Sequence, residues 1–118
     1  RKVHVGTARL LLMGFTFKEN CPDTRNTKVA DLARELAPFA REVVIYDPHA
    51  DVEEARSEYG LDVSREIPEG IFEGIVLCVR HDAIVKLGTP WMRQRLSPNG
   101  FIYDLKEVLP IDASDARL

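Results

Sequence analysis

The chain has 118 residues, of which 45% are hydrophobic and 30% are charged, the balance of an ordinary globular domain with one core. Its net charge of −3 gives no general attraction to nucleic acid or to an anionic membrane, so any anion site has to be local. No apolar run approaches the roughly 20 residues of a membrane-spanning helix. The two cysteines lack the spacing of a disulfide framework or a zinc site, which favours a reducing cytoplasm.

We expect a single domain over residues 1–118, with residues 1–7 as the end of a linker and residues 112–118 as a frayed tail. The chain opens on Arg1 without a methionine, and no signal peptide is recognisable. We therefore expect a piece of a longer protein.

The first structured stretch organises the rest of the chain. Ala8 to Met13 is a short, dense apolar run that predicts a strand buried on both faces. The polar loop after it carries Lys18 and Arg25, and Asn26 or Thr27 can cap the helix that follows. Two cations on a loop between a buried strand and a helix indicate an anionic ligand.

The remainder alternates between apolar strands and amphipathic helices. The predicted elements are a helix over 27–39, a strand over 42–46, a helix over 51–59 capped by Asp51, a short edge strand over 61–63, a turn with a brief helical segment over 67–73, a central strand over 74–79, a helix over 81–87, a second helix from a Thr89-Pro90 cap to Leu96, and a last strand over 101–104. This alternation predicts an α/β, Rossmann-like, doubly wound and mostly parallel sheet with helices on both faces.

Three strand ends are expected at one rim of this sheet, where ligands of open α/β folds bind. The first strand delivers Phe17 and Lys18, the second delivers Asp47, and the last delivers Asp104 and Lys106. Lys18 offers a full charge and three donors to phosphate oxygens, and Phe17 offers a ring face or its backbone beside a base. Asp47 is more simply a turn residue with the proline after it.

Arg25 has two interpretations. It can meet an anionic ligand directly, or it can pair with Asp23 or Glu19 and brace the loop. In the second case its loss would destabilise the protein, provided that the bridge is partly buried.

Three segments carry a resemblance to a known family: Phe-Lys-Glu-Asn-Cys-Pro-Asp-Thr-Arg-Asn-Thr-Lys-Val at 17–29, Val-Ile-Tyr-Asp-Pro at 44–48, and Phe-Ile-Tyr-Asp-Leu-Lys at 101–106. They resemble the UDP-glucose/GDP-mannose dehydrogenases, and most of all the UDP-N-acetyl-D-galactosamine and UDP-N-acetyl-D-glucosamine 6-dehydrogenases of bacterial polysaccharide synthesis. The resemblance covers nearly the whole chain, but it matches only the C-terminal, UDP-binding domain of the family.

The resemblance implies a set of residues that bind UDP. Phe17 and Lys18 match the pair that contacts the nucleotide, and Lys106 matches a basic position in the family's second nucleotide-contacting segment. Arg25 belongs to a matching Asp-x-Arg motif, with a direct or a structural role. Glu107 departs from the pattern, because some relatives have arginine there, and no role is carried over to it.

The resemblance also implies an NAD-dependent oxidation of the sugar C6 alcohol to a carboxylate, with NAD bound by a separate N-terminal domain. No GxGxxG motif follows the first strand of this chain. We therefore expect the isolated chain to bind nucleotide and to be inactive as an enzyme. The implied partners are a UDP-sugar, the NAD-binding and central helical domains of the same enzyme, and further copies in a homo-oligomer.

The remaining cysteines and histidines predict no catalytic or metal site. Cys21 does not match the family's catalytic cysteine motif and is interpreted as loop packing, whereas Cys78 is interpreted as core. His4, His49 and His81 lack metal-ligand spacing and are interpreted as surface or cap residues.

Two other functions are compatible with parts of the pattern. A receiver-like signalling domain would use Asp47 and Lys106 at strand ends, but it needs an acidic pair after the first strand and a serine or threonine after the later central strand. The chain has Gly14-Phe15 and Val79-Arg80 there. A dimerisation module with a vestigial site is the other alternative, and a nucleotide titration distinguishes it.

Overall fold

The computed structural model describes residues 7–25, 27–110 and 112–117. In chain order its elements are β1 (Arg9–Met13), α1 (Val29–Leu36) with a 3-10 turn (Ala37–Phe39), β2 (Glu42–Tyr46), α2 (Val52–Tyr59), β3 (Val63–Ser64), β4 (Phe72–Leu77), α3 (Asp82–Gln94), β5 (Leu96–Asp104) and β6 (Ala116–Arg117). None of the described helices has the length and apolarity needed to span a membrane.

The strands form one parallel sheet in the order β3-β2-β1-β4-β5-β6. The chain winds outward from β1 to β3, returns, and continues from β4 in the opposite direction. This confirms the predicted doubly wound fold. Receiver-like folds have the order 2-1-3-4-5 instead, so the receiver-like alternative is wrong.

The side chains of β1 alternate between two apolar layers, as expected for a strand buried on both faces. Leu11 and Met13 point to the layer that α3 covers, which also contains Ile75, Ile84, Met92 and Ile102. Leu12 points to the opposite layer, which α1 and α2 cover with Val29, Ala30, Ala33 and Ala55. The predicted arrangement of helices on both faces is therefore confirmed.

The helix starts follow local hydrogen bonding. Thr27 accepts a hydrogen bond from the backbone N–H of Val29 at 3.2 Å and donates its hydroxyl proton to the Phe15 carbonyl. The N-cap residue of α1 is Lys28, whose side chain makes no capping hydrogen bond, so the predicted cap at Thr27 is wrong and α1 begins two residues later than predicted. Asn26, the other predicted cap, lies outside the described residues. Asp51 caps α2 as predicted by accepting from the Glu54 N–H at 3.1 Å, and Gly60 ends it with a φ of 66°.

The two helices predicted over 81–87 and from Thr89 onward are confirmed as the two helical segments of α3, which meet at a break at Gly88. Gly88 has a φ of 77° and a ψ of 169°, which interrupts the helical backbone where the second cap was predicted. The helix ends at Gln94, because Leu96 already pairs with Phe72 as the first residue of β5. The last strand is thus longer than the predicted 101–104, with an irregular register in its first half.

Two predictions for irregular segments are wrong. Residues 67–73 contain no helical segment, because Phe72 is fully buried and starts β4, its N–H donating to the Arg95 carbonyl at 2.7 Å. The tail over 112–118 is not frayed throughout, because Ala116–Arg117 pairs with Tyr103 and Asp104 as β6. Asp115 supports that pairing by accepting from the Ile102 N–H at 2.8 Å. Residues 1–6 of the predicted linker, together with residue 118, lie outside the described residues.

Candidate functional site

A cavity of about 420 Å³ opens at the carboxyl ends of β1, β4 and β5, where the strand order reverses. Residues that follow these three strands line it: Phe17, Lys18, Glu19, Cys78, Val79, Arg80 and Lys106. Three of the four predicted UDP-contacting residues therefore meet in one place. Parallel strands bring them together because their carboxyl ends lie at the same edge of the sheet.

The charges around the cavity favour an anion. Lys18, Arg80 and Lys106 contribute three cations, against one carboxylate from Glu19. Within the described part of the chain, neither lysine takes part in an ion pair. Arg80 donates from Nε to the Glu107 carbonyl at 3.4 Å, a long bond that turns its guanidinium toward the loop after β5. Phosphate oxygens suit such a set of donors.

The uncharged lining combines an exposed ring with a buried thiol. The Phe17 side chain is 49% exposed at the mouth, where an aromatic face is available to a base or a ribose. Cys78 lies one residue beyond β4 and is buried, and burial raises the pKa of its thiol to about 12. The thiol is therefore protonated at neutral pH, which is consistent with the prediction that Cys78 is a core residue and not a nucleophile.

Arg25, the fourth predicted contact, lies outside this cavity. Its guanidinium donates to both carboxylate oxygens of Asp23, at 3.0 and 3.1 Å, and its backbone N–H donates to the same group at 2.9 Å. The Arg25 side chain is 79% exposed and the Asp23 side chain is 31% exposed, so the bridge lies at the surface and only its carboxylate side is partly buried. The geometry supports the bracing role.

A buried polar network lies beneath the loop that carries Lys18. The Asp47 carboxylate accepts from the backbone N–H groups of Phe15 at 2.6 Å, Thr16 at 3.0 Å and His49 at 2.8 Å. It also contacts Nε2 of His81 at 2.8 Å. Burial alone would raise the pKa of Asp47, but these four hydrogen bonds outweigh it and the pKa is lowered.

The sequence interpretation captured only part of this network. Asp47 does form the predicted turn, through the bond from the His49 N–H, but its buried role was missed. His81 does occupy the N-cap position of α3, yet its side chain is fully buried and makes no capping hydrogen bond. Of the predicted surface or cap position for His81, the cap position is confirmed and the surface position is wrong. His49 is half-buried and packs against the His81 ring, and His4 lies outside the described residues.

A second buried carboxylate shapes the loop that carries Lys106. Asp104 ends β5 and accepts from the backbone N–H groups of Lys106 at 3.1 Å, Val108 at 3.0 Å and Leu109 at 2.9 Å. Glu107 takes a left-handed φ of 54° inside this turn. Asp47 and Asp104 thus hold, from below, the two loops that present lysines to the cavity.

The turn after β1 does not fit a dinucleotide cofactor. Gly14 has a φ of 103°, and a Cβ built on it would lie 2.6 Å from Cβ of Val79, so this glycine serves the packing of β1 on the β4 end. Residues 15–28 separate it from α1, so no helix N-terminus lies at the turn to receive a pyrophosphate. Asp47 is fully buried beneath the loop, which leaves this acid inaccessible to a ribose.

The described residues contain no group of three or more histidine, cysteine or acidic side chains suited to a metal ion.

Arg80 is the cation lining the cavity that sequence reasoning missed. The available signal was a basic residue directly after the most continuous apolar strand, but its relevance depends on β4 lying beside β1.

Comparison with known proteins places the chain in a family. The model of the UDP-glucose/GDP-mannose dehydrogenase family, UDP binding domain, matches residues 11–111. A UDP-N-acetyl-D-glucosamine 6-dehydrogenase from Pseudomonas aeruginosa is 45% identical over 118 residues, which is 100% of this chain and 28% of that protein. One from Salmonella typhi is 40% identical over 116 residues, covering 98% of this chain and 27% of that protein. The chain thus spans little more than a quarter of these relatives.

Solved structures with the same fold include an NDP-N-acetyl-D-galactosaminuronic acid dehydrogenase from Methanosarcina mazei Go1, with a TM-score of 0.80, 20% identity, and coverage of 93% of this chain and 23% of that one. A UDP-D-ManNAc dehydrogenase from Pyrococcus horikoshii has a TM-score of 0.74 and 16% identity, and covers 98% of this chain and 26% of that one. At this identity the likeness establishes the fold alone.

Proposed function

Because the chain belongs to the UDP-glucose/GDP-mannose dehydrogenase family and matches its UDP-binding domain, we propose that the cavity at the ends of β1, β4 and β5 binds the UDP part of a UDP-N-acetylhexosamine. Lys18, Lys106 and Arg80 would bind the diphosphate, and Phe17 would contact the base or the ribose. Arg25 would brace the loop through Asp23 without touching the ligand.

One observation supports this assignment most strongly. Cations from three separate strand ends line a single cavity beside the point where the strand order reverses. A structural lysine or arginine is normally solvated or paired, and three of them around one concavity create a local positive potential on a chain of net negative charge. A diphosphate is the part of a nucleotide sugar that such a potential would hold.

The whole enzyme would oxidise the C6 alcohol of the sugar to a carboxylate, with NAD as the hydride acceptor. The turn after β1 does not fit NAD, so we propose that another domain binds it and that this chain supplies nucleotide binding only. The location would be the bacterial cytoplasm, in a homo-oligomer, with the product used for a surface polysaccharide.

Backbone NMR shifts during a UDP titration of the 118-residue chain test the site. We expect the largest shifts at residues 17–19, at 78–80 and at 106, with Arg25 nearly unchanged. Shifts concentrated around Arg25 and Asp23, or spread evenly over the surface, would contradict the proposed site.

A further inference from the structure

The loop from Phe15 to Asn20 follows β1 and contains three of the residues that line the cavity. It is attached at both ends to one buried pair, Asp47 and His81. At its start, the N–H groups of Phe15 and Thr16 donate to Asp47. At its end, the N–H of Asn20 donates to Nδ1 of His81 at 2.7 Å. Between these attachments lie the lining residues 17–19.

The hydrogen-bond partners assign the tautomer of His81. The Thr16 hydroxyl donates its proton to the Lys18 carbonyl at 2.9 Å, so toward Nε2 of His81, at 3.0 Å, it can only accept. The Asp47 carboxylate is also an acceptor, at 2.8 Å from the same nitrogen. Nε2 therefore carries the proton, and Nδ1 is unprotonated and accepts the hydrogen bond from the Asn20 N–H.

Each ring nitrogen of His81 thus has a different task. Nε2 joins β2 to the β4–α3 junction through Asp47, which is a contribution to the fold. Nδ1 fixes the far end of the Lys18 loop, where Asn20 adopts a left-handed φ of 56° and its side-chain oxygen accepts from the Asp82 N–H at 2.8 Å. The residue between β4 and α3 therefore determines where the loop after β1 stands.

We propose that His81 is a positioning residue for nucleotide binding, which holds Lys18 and Phe17 in the binding-competent loop conformation through its Nδ1 atom. The proposal rests on the proposed function of the cavity. Without the Nδ1 acceptor, the loop would lose the partly buried hydrogen bond that fixes its far end at Asn20, and it would populate conformers in which Lys18 has left the cavity. The measured affinity for UDP would fall in proportion to the fraction of molecules whose loop is in the binding-competent conformation.

Two substitutions separate the tasks of the two nitrogens. In His81→Asn, the amide oxygen can take the place of Nδ1 and accept from Asn20, while the bond to Asp47 is lost. In His81→Gln, the amide nitrogen can take the place of Nε2 and donate to Asp47, while Asn20 loses its acceptor. Both variants replace a buried imidazole by an amide, so each is the control for the loss of stability in the other.

The 118-residue chain and both variants are titrated with UDP, and amide hydrogen exchange is measured at Asn20. We expect the dissociation constant to rise about tenfold or more in His81→Gln and to stay within about threefold of the parent value in His81→Asn. The Asn20 amide should exchange slowly in the parent chain and in His81→Asn, and fast in His81→Gln. Equal affinities in the two variants, despite similar melting temperatures, would show that His81 is only structural.

Amide exchange distinguishes a failure of this proposal from a failure of the proposed function. If the parent chain binds no UDP, the cavity assignment is wrong, and the exchange rates of Asn20 still decide whether His81 orders the loop. An unprotected Asn20 amide in the parent chain would overturn the proposal even if the variants do not fold.

A comparison of Thr16→Ser with Thr16→Ala tests the same hydrogen-bond network through a residue of the loop, and we expect only the alanine variant to weaken UDP binding.

Discussion

Arg25 holds the carboxylate of Asp23 with two parallel hydrogen bonds of 3.0 and 3.1 Å, on the surface and away from the cavity. The side-chain hydrogen bond from Arg25 is the main reason that the pKa of Asp23 is lowered. Because water screens an exposed pair, the contribution of this bridge to stability is small. The two cations of the loop, Lys18 and Arg25, consequently have different expected roles.

Lys18→Ala should weaken UDP binding about five- to tenfold, because one charge-assisted contact to phosphate is lost. Arg25→Ala should bind UDP like the parent chain. Both variants should melt at nearly the parent temperature, since both side chains are exposed. Lys86→Ala removes an exposed lysine of α3 that does not line the cavity, and it is the matched control. Calorimetric titration and thermal melting measure the two effects.

The reverse result is informative. If Arg25→Ala loses UDP while Lys18→Ala keeps it, the two roles have been exchanged. If Lys86→Ala weakens binding as much as Lys18→Ala, the effect of Lys18 is one of net charge and not of position.

Arg80 is expected to act as the third phosphate cation. Arg80→Ala should weaken UDP binding about as much as Lys18→Ala does, since Arg80 also lines the cavity, from the chain segment that follows β4. Arg41 is an exposed arginine just before β2, at the opposite edge of the sheet, and Arg41→Ala serves as the control. An Arg80→Ala chain with the parent dissociation constant would remove this residue from the site.

Asp47 should make the stability of the chain dependent on pH in the acid range. Its folded pKa lies below the ordinary value of 3.8, so the ionised carboxylate stabilises the fold fully above that value. This stabilisation is lost as the pH falls through the lower, folded pKa. Asp47→Asn should reduce the free energy of unfolding at pH 7 by about 2–3 kcal/mol, because its amide NH₂ group would face backbone donors.

Denaturant unfolding of both chains between about pH 3 and pH 7 checks this expectation. The parent chain should lose stability below about pH 4 more steeply than Asp47→Asn does. Parallel curves for the two chains would mean that Asp47 has no depressed pKa in the folded state.

The two cysteines should differ in reactivity. Cys78 is buried and its pKa is raised to about 12, so the reactive thiolate is scarce near pH 8. Cys21 is half-buried in the loop and is accessible to reagent. Brief treatment of the folded chain with iodoacetamide, followed by peptide mass spectrometry, should find label on Cys21 and almost none on Cys78. Rapid labelling of Cys78 would mean that its thiol becomes accessible to the reagent in the folded chain.

The sequence was sufficient for the elements that local pattern determines. The apolar run of β1 is visible in the sequence itself. The start of α2 at Asp51 and its end at Gly60 likewise depend on the properties of those residues and of the residues next to them in sequence. Lys18 and Lys106 could be placed on one rim because parallel strands in a doubly wound sheet end at the same edge.

Residues that depend on long-range pairing could not be placed. Arg80 matters only because β4 lies beside β1, and the burial of His81 depends on Asp47 of another strand. The strand β6 has only two residues, too few to show a periodic pattern in the sequence. Its pairing is instead supported by the hydrogen bond between Asp115 and the Ile102 N–H. The segment 67–73 is too short for its apolar pattern to distinguish strand from helix.

The central claim is that the lysines act on phosphate, and a comparison of UDP with uridine tests it most directly. Both ligands are titrated into the 118-residue chain at low and at physiological ionic strength. We expect UDP to bind with a dissociation constant on the order of millimolar, about −4 kcal/mol. Uridine should bind more weakly still, and the difference should shrink as salt is added. Equal binding of UDP and uridine, unchanged by salt, would contradict the assignment of Lys18 and Lys106 to the diphosphate.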